Sequence, residues 1–237
     1  MFARAMELYG DDDSQRELGR VSRMLRVQYR MHKLIADWAS QALYGGALQT
    51  ATNVQSRTLA QLTGCLDEEE DCFGAASNAA LLLIDTTGCN MHESVNAAGS
   101  RFNEGEAQIV RQHVQTLLDM GVRQEQIAII SPYNGQVELL RSALLPDAPH
   151  LEIRSVDGFQ GGEREAVVLS LVRSSARGGV DGIGFLGDNR RLNVAVTRAK
   201  RHCCVVCDSG TVSKSPFIRG LVDWIEEHGE TRAALEF

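Results

Sequence analysis

The chain alternates between short apolar runs and stretches whose apolar residues recur every three or four positions. Residues 34–43 put Ile35, Trp38, Ala39, Ala42 and Leu43 on one helical face, and Gly45-Gly46 ends that helix. Residues 49–77 are polar, acidic and without period, which predicts a long loop or insertion. A short strand is expected at residues 81–86. Asn103 with Glu106 resembles a capping box that opens a helix through Ile109, Val110, Val114, Leu117 and Leu118, closed by Gly121. A strand at 126–131 ends at Pro132, and a helix follows over 134–144. Strands are expected at 152–156 and 166–172, the second apolar on both faces, as in the centre of a helix-covered parallel sheet. Asp188 or Asn189 caps a helix running to about Lys200, with Leu192, Ala195, Val196 and Ala199 as its buried stripe. A strand at 203–207 and a helix at 217–227 complete the series. Strands alternating with helices at crossover length predict an α/β fold with a parallel, doubly wound sheet. One domain spans 24–237, preceded by a short remnant or linker at 1–23.

Charge refines this picture. Of the 24 basic residues three are Lys (Lys33, Lys200, Lys214), and none follows a Gly. A phosphate-binding P-loop requires Gly-Lys-Ser/Thr, so the chain carries none of its own. The net charge of −7 argues against a protein that simply coats nucleic acid. Eight of the 31 acids sit in two runs, Asp11-Asp12-Asp13 and Asp67-Glu68-Glu69-Glu70-Asp71, whereas residues 189–201 carry Arg190, Arg191, Arg198, Lys200 and Arg201 and no acid. A local positive surface on an acidic body is the expectation. No apolar run approaches the ~18 residues of a membrane helix, and no signal peptide is evident, which points to an intracellular protein.

Cys204-Val-Val-Cys207 has a metal-site spacing, but on a strand those two side chains face opposite ways. Buried thiols in a core strand are the simpler reading. The His residues are scattered in sequence, and neither a metal site nor a disulfide is expected.

Gly182-Ile-Gly184-Phe-Leu-Gly187 matches a dinucleotide fingerprint, yet the preceding residues read as a loop and Asp188 would occupy the helix start that receives a pyrophosphate. Three other segments lie at the ends of predicted elements: Val27-Gln28-Tyr29-Arg30-Met31-His32, Ser131-Pro-Tyr-Asn-Gly-Gln136 and Ser155-Val-Asp-Gly-Phe-Gln-Gly161. Each alone is ordinary turn chemistry. Arg191 and Arg198, seven apart, are expected on one edge of the 189–200 helix, where a guanidinium can grip phosphate oxygens.

Together the motifs VQYRMH, SPYNGQ, SVDGFQGGERE and GFLGDNRRLNVAVTRAKR, in this order, resemble the second motor domain of superfamily-one helicases, in the branch shared with the nonsense-mediated-decay helicase. The resemblance covers Met24 to Phe237 and is weakest over 49–77. It implies a RecA-like sheet of the P-loop NTPase class, here as the second motor domain without its own P-loop. It further implies that Tyr29 stacks on adenine, that Arg30 reaches the terminal phosphate, and that Glu163 binds the ribose. Gln160 and Gly161 would border the nucleotide, and Arg198 would be the arginine finger. Pro132, Tyr133, Asn134, Ser155 and Val156 would face single-stranded DNA or RNA. Asp157 and Gln160 would link the two sites.

Gly162 departs from the pattern, standing where relatives usually carry Arg. On this resemblance ATP and Mg²⁺ would be shared with an N-terminal RecA-like domain in cis that supplies the P-loop and holds the metal. The chain alone would be inactive, and its setting cytoplasmic or nuclear. The alternatives are a degenerate fragment that only binds nucleic acid or protein, and a dinucleotide oxidoreductase built on residues 182–187.

Overall fold

A computed structural model describes residues 24–63, 79–175 and 184–236. Its centre is a six-stranded, entirely parallel sheet of β3 (Leu81–Asp85), β6 (Ile127–Ser131), β7 (Glu152–Ser155), β8 (Arg164–Ser170), β9 (Ala199–Cys207) and β10 (Glu230–Ala233). Across the sheet the order is β10-β3-β9-β8-β6-β7. Two minor pairs flank it: β1 (Val27–Gln28) beside β2 (Gln49–Thr50), and the antiparallel β4 (Ser94–Val95) and β5 (Arg101–Phe102). The helices are α1 (Lys33–Tyr44), α2 (Leu59–Thr63), α3 (Glu104–Asp119), α4 (Asn134–Leu144), α5 (Asn189–Val196), α6 (Ser209–Val212) and α7 (Pro216–His228).

The apolar runs fill both faces of the sheet. Leu81, Leu83, Val167, Leu169, Cys203 and Val205 face α1, α5 and α7. Their chain neighbours Leu82, Ile84, Val168, Cys204 and Val206 face α3 and α4. Period-two alternation within unbroken apolar strands thus feeds two cores, as in a doubly wound parallel sheet. Cys203 and Cys207 share one core and Cys204 lies in the other, so the C-x-x-C spacing gathers no ligands. Cys89, Cys203, Cys204 and Cys207 are free thiols. Among the described residues no helix is long and apolar enough to cross a membrane.

Three expectations need correction. The helix expected to reach Lys200 ends at Val196, where the Thr197 hydroxyl donates back to the Asn193 carbonyl at 2.8 Å, and β9 starts at Ala199. Arg191 and Arg198 therefore do not share a helix edge. Arg198 sits in the turn between α5 and β9, and Ala199 is buried as a strand residue.

The segment expected to be a loop holds β2 and α2. Lys33 N–H donates to the Gln55 carbonyl, Ala51 N–H donates to that of Gln28, and Val54 is only 1% exposed. Residues 64–77 of that segment, with the acidic run at 67–71, lie outside the described residues, as does the run at 11–13.

Only half of the capping box forms. The Asn103 side chain accepts from Glu106 N at 3.0 Å, but the Glu106 carboxylate turns inward to the Ser170 hydroxyl (2.7 Å) and Val172 N (2.9 Å). The backbone N–H of Asn103 donates instead to Gln136 Oε1 at 2.8 Å.

A candidate nucleotide cleft and an adjoining strand edge

The segment after β1 turns tightly because Gln28 folds back on it. Its Oε1 accepts from both Arg30 N and Met31 N at 2.8 Å, and its Nε2 donates to the Met31 carbonyl and to Thr50 Oγ1, each at 2.9 Å. That turn presents Tyr29, 68% exposed, with Arg30 beside it. His32 N–H then donates to the Lys200 carbonyl at 2.8 Å, fastening this segment to the first turn of β9.

Residues more than 160 positions apart meet here. Arg30 Nη1 donates to the Thr197 carbonyl at 3.4 Å, next to Arg198. Arg198 in turn donates from Nε to the Val194 carbonyl (3.0 Å) and from Nη1 to the Gly162 carbonyl (3.2 Å), next to Glu163. Glu163 contacts Arg30 Nε at 2.5 Å and Lys200 Nζ at 3.1 Å. Desolvation lowers the pKa of Arg198, and the charge of Arg30 lowers it further, so two guanidinium groups are held near each other. Burial would raise the Glu163 carboxyl, but Lys200 and Arg30 outweigh it and hold it below the usual value.

Tyr29, Arg30, Glu163 and Lys200 line one open cleft of about 660 Å³, a volume ordinary for a small-molecule site. Arg57, from the segment expected to be shapeless, also lines it. Sequence reasoning missed Arg57, because only the β1–β2 pairing brings it there. An exposed ring and several cations suit a base joined to phosphates. Gly161, at φ 88°, occupies the left-handed region beside the cleft, so glycine is required there by the backbone. A Cβ at Gly162 would lie 3.1–3.2 Å from the Phe159 ring, which crowds any side chain at the position where Arg was expected.

Gln160 is placed elsewhere. With Val156, Asp157, Arg190 and Arg191 it lines a separate hollow of about 160 Å³, in which Arg191 Nε lies 3.3 Å from Asp157 Oδ1. Pro132, Tyr133 and Asn134 follow β6, while Ser155 ends β7 and Val156 follows it. The Ser131–Ser155 register brings both segments to one C-terminal sheet edge, where ligands of open α/β sheets collect.

Asn134 is exposed. Val156 is 7% exposed, so its backbone is what it can offer. Tyr133 is half-buried, burial raises its pKa, and its hydroxyl pairs with Arg173. Arg173 Nε donates to Glu93 Oε2 at 2.7 Å, and Arg101 Nη1 to Glu93 Oε1 at 2.5 Å. Behind this edge Val172 adopts φ 72°, a strained conformation for a β-branched residue, held by its N–H donating to Glu106.

Two other candidates resolve differently. Gly182 lies outside the described residues, but Gly184–Gly187 is a 3₁₀ turn, and Asp188 Oδ1 accepts from Arg190 N and Arg191 N. A carboxylate thus fills the helix start that a pyrophosphate would need. His113 and His202, distant in sequence, meet in the core with Nε2–Nε2 at 3.0 Å, and Cys204 Sγ lies within 4.8 Å of both. His202 Nδ1 donates to the Ala79 carbonyl, which leaves its Nε2 to accept from His113. Burial lowers both imidazole pKa values, so the pair is neutral and mutually satisfied.

Known proteins are similar to this chain in sequence. DNA-binding protein SMUBP-2 of Rattus norvegicus, the immunoglobulin mu-binding protein, is 50% identical over 92% of this chain and 21% of its own length. DNA polymerase alpha-associated DNA helicase A of Schizosaccharomyces pombe is 38% identical over 96% of this chain and 33% of its own. Regulator of nonsense transcripts 1 homolog of Arabidopsis thaliana is 34% identical over 86% and 16%. The chain therefore spans about a sixth to a third of these curated relatives. The profile of the AAA domain family matches residues 1–210. By that match and these helicase relatives, the chain belongs to the AAA domain family.

Proposed function

We propose that the chain is the second motor domain of an ATP-driven superfamily-one helicase acting on single-stranded DNA or RNA. The observation that carries this reading is the convergence of Arg30 and Arg198 beside Tyr29 and Glu163. A transferred phosphoryl group develops charge that preorganised cations offset, and Arg30 on the cleft wall with Arg198 held close behind it would meet that need. In this reading Tyr29 stacks on the base, Glu163 binds the ribose when released from Arg30, and Arg30 and Arg198 hold the phosphates. Lys200 tempers the charge of Glu163. Gly161 shapes the turn beside the cleft rather than touching the nucleotide.

Mg²⁺ would be held by acids of a first motor domain in cis, which also supplies the P-loop. It would offset charge on the phosphates there. The edge formed by Pro132, Tyr133, Asn134, Ser155 and Val156 would carry the nucleic-acid strand. Asp157, Gln160 and Arg191 share a hollow with Val156 of that edge and would couple edge and cleft.

The test is steady-state ATP turnover stimulated by single-stranded nucleic acid. In a protein holding both motor halves, Arg198→Ala should lower kcat by about 10³-fold or more. The 237-residue chain alone should show no turnover. Steady turnover by the chain alone that Arg198→Ala abolishes would refute the division of labour between two domains.

A further inference from the structure

Resting on that reading of the cleft, we infer that Arg57 is an additional phosphate-binding residue, brought to the nucleotide by the segment between β2 and α2. The backbone on both sides of Arg57 is pinned. The Gln55 carbonyl accepts from Lys33 N at 3.0 Å, Val54 is buried, and the Thr58 carbonyl accepts from Arg201 Nη1 at 2.9 Å. Arg201 is itself tied to Glu165 at 2.7 Å. The peptide is therefore held in place while the side chain stays half-buried on the cleft wall.

The head group, by contrast, has no protein partner. Among the described residues the Arg57 guanidinium makes no hydrogen bond and no ion pair, its one bond being Arg57 N to the Val54 carbonyl. The other cations lining the cleft are engaged: Arg30 with Glu163 and Thr197, Lys200 with Glu163 and Glu165. Three cationic side chains (Arg30, Arg57 and Lys200) and one carboxylate (Glu163) line the cleft, so its wall carries excess positive charge. Gly162 adds no cation. A guanidinium held on a fixed backbone with all its donors free is prepared for an anion that comes from outside the chain. The exposed Tyr29 ring in the same cleft identifies that anion as the phosphate chain of a nucleotide whose base lies on the ring.

The experiment is an NMR titration of the 237-residue chain with ATP and, separately, with adenosine. It compares wild type, Arg57→Ala and Arg57→Lys, with circular dichroism to verify folding. Arg57→Ala should weaken ATP binding about tenfold and leave adenosine binding unchanged, and Arg57→Lys should recover part of the loss. Equal ATP affinity in wild type and Arg57→Ala would overturn the role of Arg57 while leaving the cleft as a nucleotide site. If ATP fails to shift the Tyr29 and Arg30 signals of the wild type, the reading of the cleft falls, and the role of Arg57 with it. A loss of adenosine binding equal to that of ATP would mark Arg57 as structural and also overturn the proposal.

Discussion

Glu106 offers a quantitative test of how the strand edge is supported. Its carboxyl is fully buried between α3 and β8, and desolvation drives its pKa up to about 8, although Ser170 and Val172 N–H oppose the shift. Glu93 and Asp208 push in the same direction as burial. The folded state therefore keeps a proton between pH 4.5 and 8 that the unfolded chain releases. With more protons on the native state, stability falls as pH rises across that window, by about 1.4 kcal/mol per pH unit. Integrated over the window, the loss approaches roughly 5 kcal/mol, a large part of a typical domain's stability.

Glu106→Gln keeps the shape and removes the titration. Urea denaturation followed by circular dichroism from pH 5 to pH 9 should show the wild-type midpoint falling relative to the variant as pH increases. His113 and His202 titrate in both proteins, so they cancel in the difference. Parallel curves for the two proteins would refute the buried, protonated Glu106 and the account of how it holds Val172 at positive φ.

Other outcomes follow from the same geometry. Gly161→Ala meets no atom with its Cβ, so its cost is purely that of a left-handed backbone, about 1–2 kcal/mol, read as a lowered urea midpoint. Gln28→Leu removes the acceptor of two backbone N–H groups and should cost about 1–3 kcal/mol, with faster hydrogen exchange at the Arg30 and Met31 amides. Unchanged exchange there would show that Gln28 does not shape the turn that presents Tyr29. Because burial lowers the pKa of His113 and His202, acidification through pH 6.5 favours the unfolded state, which takes up their protons. A variant replacing both by Phe should lose that acid-side slope in the same urea series.

The central strands were legible from their apolar runs: the strand expected at 166–172 is apolar on both faces, as a sheet covered twice requires, and it forms over Arg164–Ser170, while the short run at 81–86 forms β3. The helix with Asn103 at its cap was legible for a similar reason, since a 3.6-residue stripe and a capping side chain are local features. What escaped was set by contacts distant in sequence. Residues 49–50 form a two-residue strand whose only reason is β1, and β10 reads Glu-Thr-Arg-Ala, with no period to betray it. The Glu106 side chain abandoned its capping role for Ser170, 64 positions away. The end of α5 was misplaced because Ala199 suits a buried helix stripe and a buried strand equally well.

The candidate site was legible only through its motifs taken together. Tyr29, Arg30, Glu163 and Arg198 were each unremarkable alone, and the structure brings them together. It sets Gln160 apart in the neighbouring hollow and adds Arg57 from a segment that carried no signal.

The central claim is that Arg30 and Arg198 act on one phosphate group. The most direct measurement is the structure of the protein bound to a non-hydrolysable ATP analogue. The account predicts the base on the Tyr29 ring, with phosphate oxygens within hydrogen-bond reach of both guanidinium groups. A nucleotide bound away from that cleft, or phosphates touching neither arginine, would contradict it.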